Sequence, residues 1–138
     1  MKKLYFLVLF VLSFVAEAQI VNIPDANFKA KLLSASSNNY IAQNASGANV
    51  KIDTNDDNQI QINEAISISQ LNVASSNISS LTGIEDFVNL TQLICDSNQL
   101  TSLNVTQNIA LEILSCNFNP ITSLNVTQNI ALLDLSCF

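Results

Sequence analysis

From Leu90 onward this 138-residue chain repeats itself every 21 residues, and no other feature restricts its fold as much. Leu90-Thr91-Gln92-Leu93-Ile94-Cys95-Asp96-Ser97-Asn98-Gln99-Leu100 opens one unit, and Leu111-Glu112-Ile113-Leu114-Ser115-Cys116-Asn117-Phe118-Asn119-Pro120-Ile121 opens the next. Both continue as Thr-Ser-Leu-Asn-Val-Thr-Gln-Asn-Ile-Ala, at 101–110 and 122–131. Another unit starts at Leu132, with Leu135 and Cys137 in phase. Upstream, Ile68, Leu71, Val73, Ile78 and Leu81 take the same apolar positions in a 22-residue unit from Ile68 to Asn89, with Ser76 at the Asn position. A unit this short cannot bury an apolar face alone, so the pattern predicts stacked coils sharing one continuous core.

Within a unit, Leu93 and Cys95 alternate with Gln92, Ile94 and Asp96, the pattern of a strand with one face buried. The polar cluster after it turns the chain, and Leu100 and Leu103 re-enter the core. Asn98 and Asn119 fall at that bend, where a carboxamide can both donate to and accept from the backbone of its own coil and the neighbouring one. Val105, Ile109, Val126 and Ile130 are expected to pack on the convex side, with Thr-Gln-Asn forming a turn or one 3₁₀ turn.

The spacing L-x-x-L-x-C-x-x-N-x-L resembles the leucine-rich-repeat family, and Leu81 to Leu90 resembles its internalin type of unit. The resemblance implies an α/β solenoid: a leucine-rich-repeat coil of short parallel strands with a small helical N-terminal cap. Cys95, Cys116 and Cys137 share one repeat position, filled by Val73 in the first unit. Buried free thiols in a small apolar slot are the favoured reading; secretion would permit a disulfide, leaving one thiol unpaired.

The chain divides into 1–18, 19–66 and 67–138. Lys2 and Lys3, the apolar run Leu4 to Val15 and the small-x-small triplet Ala16-Glu17-Ala18 have the layout of a signal peptide cleaved after Ala18. A membrane anchor is the competing reading, but the run is shorter than the ~20 residues a span needs. No later stretch is apolar enough to span a membrane, so a secreted or outer-surface protein is expected. Residues 19–66 read as a cap. Pro24 to Leu33 suits a short helix, with Pro24 in the first turn and Ala26, Phe28, Ala30, Leu32 and Leu33 on its apolar side. The Ser/Asn/Ala-rich stretch 34–49 reads as loop.

Residues 53–64 follow the pattern D-x-[DN]-x-[DN]-G-x₅-E of a calcium loop. Asp53, Asn55 and Asp57 take its first three ligand positions, Gln59 would offer a backbone carbonyl, Gln61 would act through water, and Glu64 closes the set. Closely spaced oxygen donors suit Ca²⁺, which takes six to eight of them. Asn58 stands where the pattern has Gly, and Asn is the next best residue for a left-handed backbone. The competing reading is an Asx-rich turn that binds nothing. The segment resembles the calcium loops of dockerin-like modules, and its expected purpose is to stiffen the cap.

This order of features resembles secreted leucine-rich-repeat proteins of the Bacteroidetes, which are often longer and carry a sorting tail. No such tail follows, and the last strand is cut short at Phe138, which reads as a truncated or partial chain. Asn-x-Ser/Thr triplets at Asn44, Asn77, Asn89, Asn104 and Asn125 read as structural.

Composition narrows the function. With no His, Ser-His-Asp and Cys-His catalysis are absent, and two glycines cannot make a phosphate-cradling loop. Beyond residue 18, three lysines face ten carboxylates, a balance that repels nucleic acid. The expectation is therefore a non-enzymatic module that binds a protein or surface glycan on its concave sheet, through Gln92, Ile94, Asp96, Glu112, Ile113, Ser115, Asn117 and Phe118. The alternative is a structural spacer between a surface anchor and another domain.

Overall fold

The computed structural model describes residues 19–138; the expected signal segment lies outside the described residues. The repeats stack as predicted. Strands β2 (Gln70–Asn72), β3 (Gln92–Ile94), β4 (Ile113–Ser115) and β5 (Asp134–Ser136) pair in parallel and in register, so that Leu71, Leu93, Leu114 and Leu135 form one row. Each strand is three residues long because only that stretch of each coil runs straight before the bend. The middle residue of each strand points into the core, so Leu71, Leu93 and Leu114 are buried, while Leu135 on the outermost strand is 38% exposed.

The bend behind the strands is held as the Asn positions predict. The Asn98 carboxamide oxygen accepts from the Ser76 and Ile78 N–H groups of the preceding coil, both at 3.1 Å. Its nitrogen donates to the Val73 and Cys95 carbonyls, both at 2.9 Å. Asn119 repeats the arrangement one coil on, accepting from Leu100 N–H and donating to the Cys95 and Cys116 carbonyls.

The convex side departs from the sequence reading. Val105 is buried, but Ile109 and Ile130 are exposed, at 59% and 92%. The interior positions belong to Asn108 and Asn129, which are buried. Asn108 donates to the carbonyls of Ile84 and Phe87, and Asn129 to those of Val105 and Asn108. This second ladder prevails because return segments 84–87 and 105–108 turn tightly and leave carbonyls facing inward, which the asparagine of the following coil satisfies. In the first unit Phe87 occupies the corresponding place and the chain makes a 3₁₀ turn over Ile84–Asp86; the later units make plain turns at 106–107 and 127–128. Asn104 and Asn125 accept from Thr106 and Thr127 through both backbone N–H and hydroxyl, so these two triplets build local turns.

Ahead of the repeats, helix α1 (Ala26–Leu33) starts two residues later than expected, with Pro24 ahead of its N-cap. Asp25 is its N-cap: Oδ1 accepts from the N–H groups of Asn27 and Phe28. Oδ2 accepts from Ser79 N–H, Ser79 hydroxyl and Ser80 N–H, which clasps the helix to the first repeat. Burial pushes this carboxyl up, but the hydrogen bonds from Phe28, Ser79 and Ser80 outweigh it and hold the group at about 2. Phe28 and Leu32, four residues apart, are the buried face of α1; Ala26 and Ala30 are exposed. Residues 34–49 are not all loop: β1 (Ala42–Gln43) pairs antiparallel with β2 and adds a fifth strand to the sheet, in the order β1-β2-β3-β4-β5. Its two residues are too few to show periodicity in the sequence. Among the described residues no helix is long and apolar enough to cross a membrane.

Candidate functional site

The in-register stacking lays out the strand residues that point away from the core in rows. One row is Gln70, Gln92, Ile113, Asp134, and the next is Asn72, Ile94, Ser115, Ser136. Gln92, Ile94, Ile113 and Ser115 thus form a contiguous patch on β3 and β4, with Ile113 37% exposed. Beyond the strand ends, Asp96 and Asn117 continue the ladder. The Asp96 carboxylate accepts from the Ser115 hydroxyl and, at 2.7 Å, from Asn117 N–H, while Asn117 Oδ1 accepts from Phe138 N–H. Asp96, Ser115 and Asn117 therefore help to fix the coils to one another as well as edging the face. Glu112 is exposed just before β4, and its carbonyl accepts from Leu133 and Asp134 N–H.

Phe118 stands off the strand, in the turn that follows it. It is 75% exposed at φ 56°, where Ser75 and Ser97 in the preceding coils have φ 52° and 54°. Left-handed backbone is unfavourable for a bulky residue, so the coil geometry holds an exposed aromatic ring at a strained position. Two residues of the face were not among those predicted: Tyr40, 76% exposed, and Gln43 on β1. With Gln70, Leu71, Asn72, Gln92 and Ile94 they line a concavity of about 160 Å³ over β2.

The 53–64 loop runs into α2 (Ile62–Ala65), so that Gln61 is the helix N-cap and Glu64 lies in its first turn. Asp56 and Asn58 take left-handed φ of 62° and 61°, so Asn58 supplies the conformation that the pattern assigns to Gly. Buried Asp53 accepts from Asp57 N–H through one oxygen and from Asn58 N–H through the other. Asp57 takes side-chain donors from Asn55 and Gln61, and the backbone hydrogen bond from Gln59 is the main cause that lowers its carboxyl from the ordinary value. Buried Glu64 accepts from Thr54 N–H and hydroxyl and from Gln61 N–H. Lys51 pairs with Asp56, and Lys29 donates to the Gln59 side chain rather than to a carboxylate. The donors are all oxygens and fit a hard cation, and each carboxylate oxygen has acceptor capacity beyond a single hydrogen bond. As folded, the side chains are closed on one another by hydrogen bonds, and among the described residues no three carboxylates or thiols converge as a metal-holding group.

The cysteines are free thiols. Cys95 and Cys116 are buried, and burial pushes both thiols up, Cys116 to about 11, so both are unreactive at neutral pH. Cys137, expected to be buried, is exposed because it follows β5, which has a neighbouring coil on one side only.

No family model and no curated protein matches the chain. Solved structures do. The functional domain of InlJ from Listeria monocytogenes, described as including a cysteine ladder, superposes with TM-score 0.66 at 30% identity over 86% of this chain and 23% of that one. An internalin, InlF, from Listeria monocytogenes str. 4b F2365 superposes with TM-score 0.60 at 25% identity over 89% of this chain and 33% of that one. The chain thus spans a quarter to a third of the length of these neighbours, and its repeats form a leucine-rich-repeat solenoid of their type.

Proposed function

We propose that this protein is a binding module of the cell exterior whose sheet face, centred on β3 and β4, takes a protein or glycan of another surface. The observation that carries this reading is the pairing of half-exposed Ile94 and exposed Ile113 on adjacent strands with the strained, exposed Phe118 at their edge. Exposed apolar side chains on one stretch of a polar surface mark an interface, and Phe118 puts a bulky aromatic at the left-handed turn position where the two preceding coils have serine. The similarity to internalin structures supports a protein partner, and the lack of His leaves the face without the common nucleophile-activating base. The decisive measurement compares adhesion of the protein and of an Ile113→Ser/Phe118→Ser double variant to extracellular proteins and intact cell surfaces. Adhesion should fall at least ~10-fold, the loss expected for central anchors of an interface. Unchanged adhesion, or none by the parent, would leave the spacer reading in its place.

The 53–64 loop is part of the same proposal. Asp53, Asn55, Asp57 and Glu64, with the carbonyl of Gln59, are the groups that would hold calcium, exchanging the present internal hydrogen bonds for a cation that braces the segment before the first repeat. The support is the oxygen-only donor set and the left-handed Asn58. Sites of extracellular modules bind at ~10⁻⁴–10⁻³ M, so a rise in melting temperature is expected across about that range of calcium, and none for Asp53→Ala. Equal curves for the two proteins would identify the loop as a polar turn.

A further inference from the structure

The concavity over β2 has a composition unlike the rest of the face. Leu71 is its buried floor, Ile94 one wall, and the exposed ring of Tyr40 stands at its edge. All its other lining residues are carboxamides: Gln43, Gln70, Asn72 and Gln92. None of the lining is charged, in a chain whose formal charge is −6.

The amides present a mixed set of hydrogen-bonding groups. Gln43 Nε2 donates to Asn49 Oδ1 at 2.9 Å, which leaves its carbonyl oxygen as an acceptor. Asn72 Oδ1 accepts from Ala74 N–H at 3.1 Å, which leaves its NH₂ as a donor. Among the described residues the side chains of Gln70 and Gln92 make no hydrogen bond to the protein, so each offers both a donor and an acceptor. Gln70 and Gln92 are register partners on adjacent parallel strands, about 4.8 Å apart. That is comparable to the spread of hydroxyls on one sugar ring.

Strand β2 is hydrogen-bonded to β1 on one side and β3 on the other, so it has no free edge to which a peptide strand could add. Recognition is left to side chains. An uncharged wall offers amide hydrogen bonds but no countercharge, so a carboxylate, phosphate or ammonium group placed there would recover only part of its lost hydration, whereas a neutral hydroxyl loses far less. A volume of about 160 Å³ is below the range of drug-sized sites and has room for roughly one ring. A flat aromatic face beside free amides suits a ligand with one apolar face and a rim of hydroxyls. We infer that this concavity is a subsite for one pyranose ring of a neutral saccharide, with the sugar stacked on Tyr40 and its hydroxyls shared among Gln43, Gln70, Asn72 and Gln92. This rests on the proposed binding role of the sheet face and names the ligand class at its β1 end.

The test titrates the protein with neutral hexasaccharides of glucose, mannose, galactose and xylose, and with oligogalacturonate as the charged control, reading the side-chain amide resonances of Gln70 and Gln92. At least one neutral saccharide should shift both at millimolar concentration. Tyr40→Ala should weaken binding at least ~10-fold and Gln92→Ala several-fold, while Gln107→Ala, in an exposed return turn away from the sheet face, should leave it unchanged; Tyr40 is exposed and Gln92 lies outside the core, so both variants should fold. No shift with any neutral saccharide up to about 10 mM, tighter binding of the charged control, or full binding by Tyr40→Ala would overturn the inference. If saccharides fail while the Ile113→Ser/Phe118→Ser variant still loses adhesion, the subsite alone is wrong and the wider face reading stands. If saccharides bind while that variant adheres normally, the subsite stands and the β3–β4 face is wrong.

Discussion

Replacing Asn98 with alanine should remove about 3–5 kcal/mol of folding stability, more than any exposed substitution in the chain. The side chain is 7% exposed and joins two coils: it accepts from Ser76 and Ile78 and donates to Val73 and Cys95. Alanine leaves the Ser76 and Ile78 N–H groups and the Val73 carbonyl without this partner, while the Cys95 carbonyl keeps its bond from Asn119. Each such buried group costs about 1–3 kcal/mol, and partial hydration or relaxation recovers some of the sum. With a urea slope of about 1–3 kcal/mol per molar, the unfolding midpoint should move by roughly 2 M if the chain still folds. Asn119→Ala should cost less, because Asn119 is half-buried and accepts from one N–H group rather than two. A loss below about 1 kcal/mol for Asn98→Ala would mean that the strand ladder alone holds the coils in register. The reversed order of the two variants would mean that the outer coil, not the inner one, governs unfolding.

The Asn98 ladder was legible in the sequence because its residue recurs in phase with the leucines on either side, and only a group that both donates and accepts fits a repeated bend. Asn108 and Asn129 recur with the same period, yet the rule that apolar residues go inside assigned the interior to their neighbours Ile109 and Ile130. The rule failed there because tight return turns point carbonyls inward, and leaving those unpaired would cost more than exposing an isoleucine. The 21-residue repeat and the family resemblance implied parallel strands in register, and alternation assigned the outward positions, so Gln92, Ile94, Ile113 and Ser115 are brought together as expected. Phe118 was placed on the face by its nearness in sequence, but a coil this tight turns within one residue and puts the ring at the edge. Tyr40 and Gln43 gave no signal: they belong to a single antiparallel pairing outside the repeat, and nothing in a two-residue strand identifies its partner. The same holds for the Asp25 clasp, whose acceptors lie more than fifty residues from their donors.

The segment before the repeats has one more attachment, and it is the most sensitive to a single methyl group. Gly83 has φ +101°, outside the left-handed helical well that other residues visit, and a Cβ there would lie 2.8 Å from the Asn22 carbonyl oxygen and 2.8 Å from Ile23 Cγ1. Gly83→Ala therefore combines backbone strain of about 1–3 kcal/mol with an overpacking cost of similar size, and a total of about 2–5 kcal/mol is expected. Gly47→Ala separates the two contributions: its φ is +78° and a Cβ would meet nothing within 4 Å, so only strain, about 1 kcal/mol, should appear. The collision also has a direction. The neighbouring Val21 N–H donates to the Ile60 carbonyl at 2.8 Å, so the methyl group should pry residues 19–23 away from the first repeat before the strands separate. Hydrogen exchange at Val21 should then speed up far more than at Leu93 or Cys95, whose amides lie in the strand ladder. Equal losses for the two glycine variants would show that Asn22 and Ile23 yield to the methyl group without cost. Uniformly faster exchange would show that the N-terminal segment and the repeats unfold as one unit, so that whatever stiffens residues 19–66 also stabilises the sheet face.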